Sequence, residues 1–382
     1  MIPYGRQEIC EEDIEAVVEV LRSDFLTQGP AVRRFEEALN AATGASHAIA
    51  VNSATSALHI ACAALGLGPG DTLWTSPVTF VASANCARYC CAEVDFVDID
   101  PSTGNMCPDS LEEKLRRSAV AGCLPKIVVP VHLAGLSCDM VRIGALAREY
   151  GFHVIEDASH AIGGRYGNQA VGYCEHSDIA VFSFHPVKIV TTGEGGAALT
   201  RDADLARRMD RLRSHGITRD PSEMTQAPDG PWYYQQIELG WNYRMTDIQA
   251  ALGVAQMKRL DDYVARRNAR AERYDSLLSN VPVVRPGRCE DTLSAFHLYV
   301  VRVDADRHKT VFEGLRARGI GVNLHYIPVH LQPYYRALGL MPGTFPEAER
   351  YYSEAISLPL FPNMTDDEQN SVVAALKAEL GG

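Results

Sequence analysis

Several common functional patterns are absent from this sequence. It has no C-x-x-C pair, no G-x-G-x-x-G run and no Walker sequence, which argues against a zinc ribbon, a Rossmann dinucleotide site and a P-loop ATP site. No signal peptide and no membrane-spanning apolar run is recognisable. We therefore expect a cytoplasmic protein that does not act at a membrane, binds no metal and keeps its ten cysteines as buried free thiols.

The sequence also lacks an excess of basic residues. Lys and Arg number 36 against 48 Asp and Glu, so the net charge is −12 and the pI is near 5.5. Nucleic-acid-binding proteins concentrate Lys and Arg on one face, so no nucleic-acid partner is expected. A local basic pocket for a small anionic ligand stays compatible with this balance.

The order of apolar segments predicts an α/β fold. Short apolar runs such as residues 47–51, 93–97 and 179–184 alternate with helical patterns, which is typical of βα units that build a mainly parallel sheet. At 382 residues the chain exceeds the usual single-domain size. We predict an N-terminal arm and large domain over 1–250, followed by a linking helix and a smaller α+β C-terminal domain over 251–382.

Two helix signals mark the ends of the large domain. In residues 11–26 apolar side chains recur at helical spacing, and we expect this face to pack on the main body: Ile14, Val17, Val18 and Leu21. The T-D-I-Q sequence that begins at Thr246 is a capping-box pattern. It predicts one long helix that continues into the charge-rich segment 266–278.

An acidic pair ends one of the predicted strands. Glu156 and Asp157 follow the apolar Val154 and Ile155, and side chains alternate along a strand, so only one acid can face the carboxyl edge of the sheet. There a carboxylate could hold the ring nitrogen of a pyridine cofactor in its protonated state, which makes the ring an electron sink. An acid at a strand end can equally be a helix cap or a turn residue.

Lys188 follows the next apolar strand and precedes a glycine-rich turn that contains Gly193, Gly195 and Gly196. An amine in partly dry surroundings loses its proton more readily, and it can then attack an aldehyde and move protons. Lysine and carboxylate at consecutive strand ends indicate pyridoxal 5'-phosphate. Most lysines, however, are solvated surface charges, so the lysine and the carboxylate together are stronger evidence for this cofactor than either residue alone.

A phosphate-binding segment is predicted between a strand and a helix. Residues 52–56, Asn-Ser-Ala-Thr-Ser, offer amides and hydroxyls at the positive end of the helix dipole, and Ser183 could add another hydroxyl. Caps of this composition are also common without any ligand.

Six ordered motifs together resemble the DegT/DnrJ-type sugar-nucleotide aminotransferases. They are NSATSALHIA, SPVTFVASAN, EDASHAIGG, SFHPVK with TTGEGG, RSHGI and GWNYRM, and they span nearly the whole chain. The resemblance implies the fold of type I pyridoxal-phosphate enzymes, which is aspartate aminotransferase-like. It also implies a transaminase, since relatives that dehydrate carry histidine in place of the lysine.

The resemblance further implies a role for each matching residue. Lys188 would form the imine with the cofactor and Asp157 would pair with its ring nitrogen. The remaining cofactor contacts would be Ala54, Thr55 and Ser183 at the phosphate, Phe80 stacked on the ring and His160 near its phenolic oxygen. Asn242 would reach the phosphate in the neighbouring subunit, so a homodimer with shared active sites is expected.

Within this family the sequence looks most like the branch of pseudaminic acid biosynthesis. Those enzymes transfer an amino group from L-glutamate to C4 of a UDP-linked 4-keto-6-deoxy-N-acetylhexose, giving UDP-4-amino-4,6-dideoxy-N-acetyl-β-L-altrosamine. A sister enzyme for perosamine, aminoarabinose or cyclitol products is an alternative. Another alternative is a regulator that binds a sugar nucleotide without catalysis.

Residues for substrate binding are suggested by two further segments. HYIPVHLQPYY is similar to a segment that closes over the sugar in relatives, and guanidinium groups grip carboxylates and diphosphates. The candidates are His325, Tyr326, His330, Arg213, His215 and Arg244. The histidines could instead be hydrogen-bonded core residues, and nothing in the sequence assigns an arginine to glutamate or to UDP.

Overall fold

The computed structural model describes residues 1–381, and a seven-stranded mixed sheet forms its centre. The strands are β1 His47–Val51, β2 Thr72–Thr75, β3 Glu93–Phe96, β4 Ile127–Val129, β5 His153–Asp157, β6 Arg165–Tyr166, β7 Gln169–Ala170, β8 Ile179–Ser183, β9 Gly196–Thr200, β10 Ile217–Thr218, β11 Gln235–Gln236, β12 Thr292–Leu293, β13 Tyr299–Arg302 and β14 Ala355–Leu358. The central sheet has the order β1-β9-β8-β5-β4-β2-β3. The predicted α/β class with a mainly parallel sheet is confirmed.

Helices cover both faces of this sheet. They are α1 Glu11–Leu21, α2 Pro30–Thr43, α3 Ala54–Ala64, α4 Ala82–Tyr89, α5 Pro108–Ala121, α6 Met140–Tyr150, α7 Ala203–Leu212, α8 Asp247–Met257, α9 Leu260–Leu277, α10 Ala305–Ala317, α11 Pro333–Arg336, α12 Pro346–Glu354 and α13 Asp366–Gly381, with short 3-10 turns at Leu133–Gly135 and Val329–Leu331. The side chains of β8 and β9 are buried on both faces, which explains their continuous apolar sequence.

Strand direction determines where ligands can bind. β5 runs parallel to both β4 and β8, and Asp157 lies opposite Val181 in this register. β9 is antiparallel to β1 and β8, so it returns beside the strand that leads to the predicted lysine. The carboxyl ends of β4, β5 and β8 therefore meet at one edge of the sheet, where open α/β folds bind ligands.

The C-terminal third of the chain has a separate hydrophobic cluster. It packs the antiparallel pair β13 and β14 against α9, α10 and α13. Residues of the N-terminal segment join this part, since Ile2 forms a parallel bridge with Ile320 and the carbonyl of Tyr4 accepts from the amide of Leu360 at 3.0 Å. The division at residue 250 stays a prediction.

The first helix packs on the main body against α8, as predicted, but the predicted apolar face is buried only in part. α1 buries Asp13 and Val20, whereas Ile14 is 48% exposed and Leu21 is 54% exposed. The inward face is chosen by a polar contact, because Arg259 and the amide of Gln256 both donate to the buried carboxylate of Asp13. Of the four predicted apolar side chains, Val17 and Val18 are half-buried, while Ile14 and Leu21 are exposed in the single chain.

The long helix predicted from Thr246 is interrupted. Its capping box is confirmed, with Gln249 N to Thr246 Oγ1 at 3.2 Å and Thr246 N to Gln249 Oε1 at 3.0 Å. The helix ends at Met257, and a second helix begins at Leu260. Arg259 lies between them, where its guanidinium turns toward Asp13 at 2.6 Å.

All ten cysteines are free, but only part of the expected burial is found. Cys62, Cys86, Cys138 and Cys174 are buried, while Cys91, Cys123 and Cys289 are exposed. Within residues 1–381 no helix combines the length and apolar character that crossing a bilayer requires.

Candidate active site

A cavity of about 1050 Å³ lies at the carboxyl edge of the central sheet. Nine of the residues predicted from sequence line it: Ala54, Thr55, Phe80, Asp157, His160, Ser183, Lys188, His325 and Tyr326. They come from five separate segments of the chain, and the sheet topology brings them together. The cavity is large enough for a drug-sized ligand.

Asp157 is the acid that faces this cavity. Its Oδ2 accepts from Ser83 Oγ at 2.6 Å and its Oδ1 accepts from the amide of Ser159 at 3.1 Å. Glu156 points to the other side of the sheet, where His132 Nε2 lies 2.7 Å from its Oε2 and Ser177 donates to its Oε1. Alternation along β5 thus gives the two acids separate surroundings.

Lys188 lies in the turn between β8 and β9 and lines the same cavity as Asp157. Burial lowers the pKa of its amine from 10.5 to about 8, and attraction to the Asp157 carboxylate opposes part of this shift. A larger share of the amine is therefore neutral near pH 8 than for a lysine in water. The neutral form is the nucleophile and the proton acceptor.

The start of α3 forms the polar end of the cavity. The amides of Ala54 and Thr55 belong to the first helical turn, where no acceptor exists within the helix. Gly196 makes room for this turn, because a Cβ at that position would lie 2.6 Å from the carbonyl oxygen of Ser53. Free amides at the positive end of a helix, with Thr55 and Ser183 nearby, form a site suited to phosphate.

Hydrogen bonds determine which ring nitrogen of His160 carries the proton and how the ring is oriented. The amide of Ala134 donates to Nδ1 at 3.2 Å, so that nitrogen carries a lone pair and the proton resides on Nε2. Nε2 then donates to the hydroxyl oxygen of Tyr326 at 3.1 Å. Burial and the nearby Lys188 amine lower the pKa of His160, and burial raises the pKa of Tyr326. Both side chains are neutral donors at neutral pH.

Five predicted residues do not line this cavity. His330 is buried and pairs with Glu349 at 3.0 Å, and His215 is exposed. Arg213 is held by Glu36 at 2.5 Å and by Asp210 at 2.6 Å. Asn242 is exposed, and Arg244 is half-buried at a position whose backbone pairs with Val51, just before the phosphate-binding segment.

The model of the DegT/DnrJ/EryC1/StrS aminotransferase family matches residues 7–377, which is nearly the whole chain. The chain belongs to this family. A curated relative, the spore coat polysaccharide biosynthesis protein SpsC of Bacillus subtilis, is 40% identical over 98% of this aminotransferase and 96% of its own length.

Solved structures agree with this assignment and confirm the predicted fold of type I pyridoxal-phosphate enzymes. Helicobacter pylori PseC, an aminotransferase involved in the biosynthesis of pseudaminic acid, superposes with a TM-score of 0.91 at 30% identity, covering 100% of this chain and 99% of its own. Spr1654 of Streptococcus pneumoniae in its PLP-form gives a TM-score of 0.89 at 29% identity, covering 100% and 98%. Its PMP-form gives 0.91 at 29% identity, covering 100% and 99%.

Sequence reasoning missed four residues near the chemistry of this aminotransferase. Tyr4, His297 and Asn323 line the cavity, and Ser83 bonds to Asp157. His297 lies against His160 with ring centroids 4.4 Å apart. Tyr4, His297 and Asn323 stand in no pattern that differs from ordinary loop or core sequence. Ser83 lies in the SPVTFVASAN motif, but that motif does not show which of its side chains contacts Asp157.

A substitution at Arg213 tests whether this arginine stabilises the fold or binds substrate. Its guanidinium is largely buried and also donates to the carbonyl of Ala50 at 2.6 Å. We expect Arg213→Met to lower the free energy of unfolding by about 3 kcal/mol, because Glu36 keeps a buried charge without its partner. Arg33→Met, which removes an exposed pair with Glu37, should cost less than about 0.5 kcal/mol.

Chemical denaturation measures both stabilities, and steady-state kinetics measure the KM for L-glutamate in the folded variants. An unchanged stability together with a large rise in KM for Arg213→Met would assign this arginine to substrate instead.

Proposed function

We propose that this enzyme transfers the amino group of L-glutamate to a nucleotide-linked keto sugar with pyridoxal 5'-phosphate as cofactor. The preferred sugar substrate is a UDP-linked 4-keto-6-deoxy-N-acetylhexose aminated at C4, as in pseudaminic acid biosynthesis. One observation carries this proposal: the amine of Lys188 and the carboxylate of Asp157 line a single cavity whose polar end is a helix N-terminus.

The residues of the cavity fit the cofactor. Ala54, Thr55 and Ser183 would hold its phosphate, since they combine free amides with hydroxyls. Phe80 lines the cavity although its side chain is 59% exposed, so its ring is available for stacking on an aromatic ligand. Asp157 would accept from the ring nitrogen and His160 would lie near the phenolic oxygen.

When bound, the cofactor supplies the electron sink for removal of a proton next to the amino group. The chain supplies the rest. Lys188 would bind the aldehyde carbon of the cofactor and, once released, would move the proton from the α-carbon of the amino donor to that aldehyde carbon. Asp157 would keep the ring nitrogen protonated. The hydroxyl of Tyr326, whose oxygen accepts from His160, can donate to an oxygen atom of a ligand without adding a charge that would lower the basicity of Lys188 further.

The pH dependence of cofactor attachment reports the state of Lys188. For the cofactor-free enzyme mixed with pyridoxal phosphate, we expect the attachment rate to rise about ten-fold per pH unit and to level off above pH about 8, where the amine is neutral. Stopped-flow absorbance measures this rate. In Asp157→Asn the midpoint should move to lower pH, because the carboxylate that favours the ammonium form is gone. A midpoint at the ordinary lysine value would contradict the burial of this amine.

The sugar substrate is supported by similarity alone. PseC acts in pseudaminic acid biosynthesis and SpsC in spore coat polysaccharide biosynthesis. In the decisive experiment the enzyme with bound pyridoxal phosphate is first treated with L-glutamate, and UDP-, dTDP- and GDP-linked keto sugars are then added separately. Amination of the UDP-linked 4-keto-6-deoxy-N-acetylhexose above the others supports the proposal, whereas preference for another sugar assigns a sister reaction. If the visible absorbance of the enzyme with bound pyridoxal phosphate did not change on addition of L-glutamate, transamination would be contradicted.

We also propose a homodimer with shared active sites. The outward apolar side chains of the first 30 residues support it, since Ile14, Leu21, Phe25 and Leu26 are 47–54% exposed on one segment. Asn242 is exposed and does not line the cavity of its own chain. Mixing inactive Lys188→Ala with inactive Asn242→Ala protein should restore part of the activity through mixed dimers. Failure to complement, or a monomer in sedimentation, would contradict the shared site.

A further inference from the structure

Two buried hydroxyl groups form a hydrogen-bonded chain that ends at the carboxylate of Asp157. Ser83 is the second residue of α4 and is fully buried, and Thr79, in the segment before this helix, is 2% exposed. Ser83 Oγ lies 2.6 Å from Asp157 Oδ2, and Thr79 Oγ1 lies 2.8 Å from Ser83 Oγ. Thr79 lines the cavity, whereas Ser83 does not and therefore has no direct access to a ligand there.

The direction of these hydrogen bonds follows from the chemistry of the groups. An ionised carboxylate only accepts, and at 2.6 Å it is much closer to Ser83 Oγ than the carbonyl of Phe80 at 3.4 Å, so Ser83 donates its single hydroxyl proton to Asp157. Ser83 then has no further proton to donate. In its 2.8 Å contact with Thr79, the hydroxyl of Thr79 must therefore be the donor. The result is a one-way chain from Thr79 to Ser83 to Asp157, in which the last bond is strengthened by charge.

We propose that Ser83, supported by Thr79, is a positioning residue that holds the Asp157 carboxylate ionised and aimed into the cavity. The two carboxylate oxygens are each fixed by one protein donor, Ser83 on Oδ2 and the amide of Ser159 on Oδ1. Each oxygen keeps a second acceptor position for the N–H of a ligand. This inference rests on the proposed pairing of Asp157 with the cofactor ring.

The bond from Ser83 has a defined chemical effect. A donor on Oδ2 draws electron density from the carboxylate and weakens its hold on a shared proton, so the proton stays on the ring nitrogen. Without this donor the carboxylate retains the proton more strongly and the ring loses positive charge. The side chain of Asp157 is also free to turn, because the amide of Ser159 is then its only partner among the described contacts.

Ser83→Ala in the enzyme with bound pyridoxal phosphate tests the proposal. We expect kcat to fall about ten-fold, while KM for L-glutamate stays within about two-fold, since a charge-assisted bond is lost but no substrate contact is. The visible absorbance spectrum of the loaded enzyme should change with it. Ser83→Thr retains the hydroxyl and should restore kcat to within about two-fold to three-fold, and Thr79→Val should cost less than Ser83→Ala.

Ser76→Ala is a matched control. Ser76 is buried in the same segment, and within residues 1–381 its hydroxyl has no hydrogen-bond partner. This variant removes the same atom without removing a bond, so kcat and spectrum should be unchanged. In the cofactor-free protein, thermal unfolding should show a larger loss for Ser83→Ala than for Ser76→Ala, which is a readout independent of cofactor loading.

The double variant Ser83→Ala with Asp157→Asn separates the inference from the proposed function. If Ser83 acts through the carboxylate, its removal should lower kcat less than about two-fold further once Asp157 is neutral. If Asp157→Asn alone leaves kcat and spectrum intact, the proposed pairing and this inference both fail. If Asp157→Asn is impaired but Ser83→Ala behaves like Ser76→Ala, the inference alone is overturned.

Discussion

Replacing Lys188 with alanine should lower turnover by about 10⁴-fold or more, because the variant loses the nucleophile and the proton carrier together. The fold should persist, since Lys188 lies in a turn and makes no ion pair among the contacts of residues 1–381. Single-turnover kinetics with L-glutamate measure the loss of turnover, and the absorbance of the variant mixed with pyridoxal phosphate shows whether the cofactor is attached.

Two variants control this result. Lys188→Arg keeps a positive charge that does not lose its proton, so it should be as inactive as the alanine variant. Lys309→Ala removes an amine whose side chain is 86% exposed and should leave turnover unchanged. Near-normal activity of Lys188→Ala would remove the basis of the proposed mechanism.

Asp157→Asn should lower kcat by about 10² to 10³-fold, since a neutral amide stabilises a protonated ring nitrogen much less than a carboxylate does. The amide has nearly the same shape, so the main loss is electrostatic. Steady-state kinetics with a fixed keto sugar measure this effect, and thermal unfolding checks that the variant is folded.

The neighbouring acid provides the matched control. Glu156→Gln changes the same group one residue earlier on β5, but this side chain faces His132 and Ser177 on the other side of the sheet. We expect lower stability and a kcat within a few-fold of the natural enzyme. If Glu156→Gln were the more damaging variant for kcat, the assignment of the two acids would be reversed.

Local patterns in the sequence were sufficient for the sheet and for much of the cavity wall. The strand before Lys188 is an apolar run, and the strand that ends at Asp157 contains the apolar pair Val154 and Ile155, as expected for buried neighbours in a parallel sheet. The serine-rich start of α3 could likewise be read, because a helix N-terminus is defined by residues adjacent in sequence.

Other features depend on partners that lie far away in the chain. The burial of Asp13 in α1 depends on Arg259 and Gln256, almost 250 residues away, so apolar periodicity could not identify the buried face completely. Arg213 could not be recognised as the partner of Glu36 for the same reason. Ser83 resembles any serine at the start of a helix until the sheet brings Asp157 to within 2.6 Å of it.

The sequence by itself determined the order of strands and helices, the acid and the amine at the sheet edge, and the family that the motifs resemble. Only the tertiary structure decided which acid faces the cavity, which arginines are held in ion pairs and which hydroxyls hold Asp157. The physical reason is that backbone preferences and apolar periodicity act over a few residues, whereas hydrogen bonds and ion pairs select partners by their position in space.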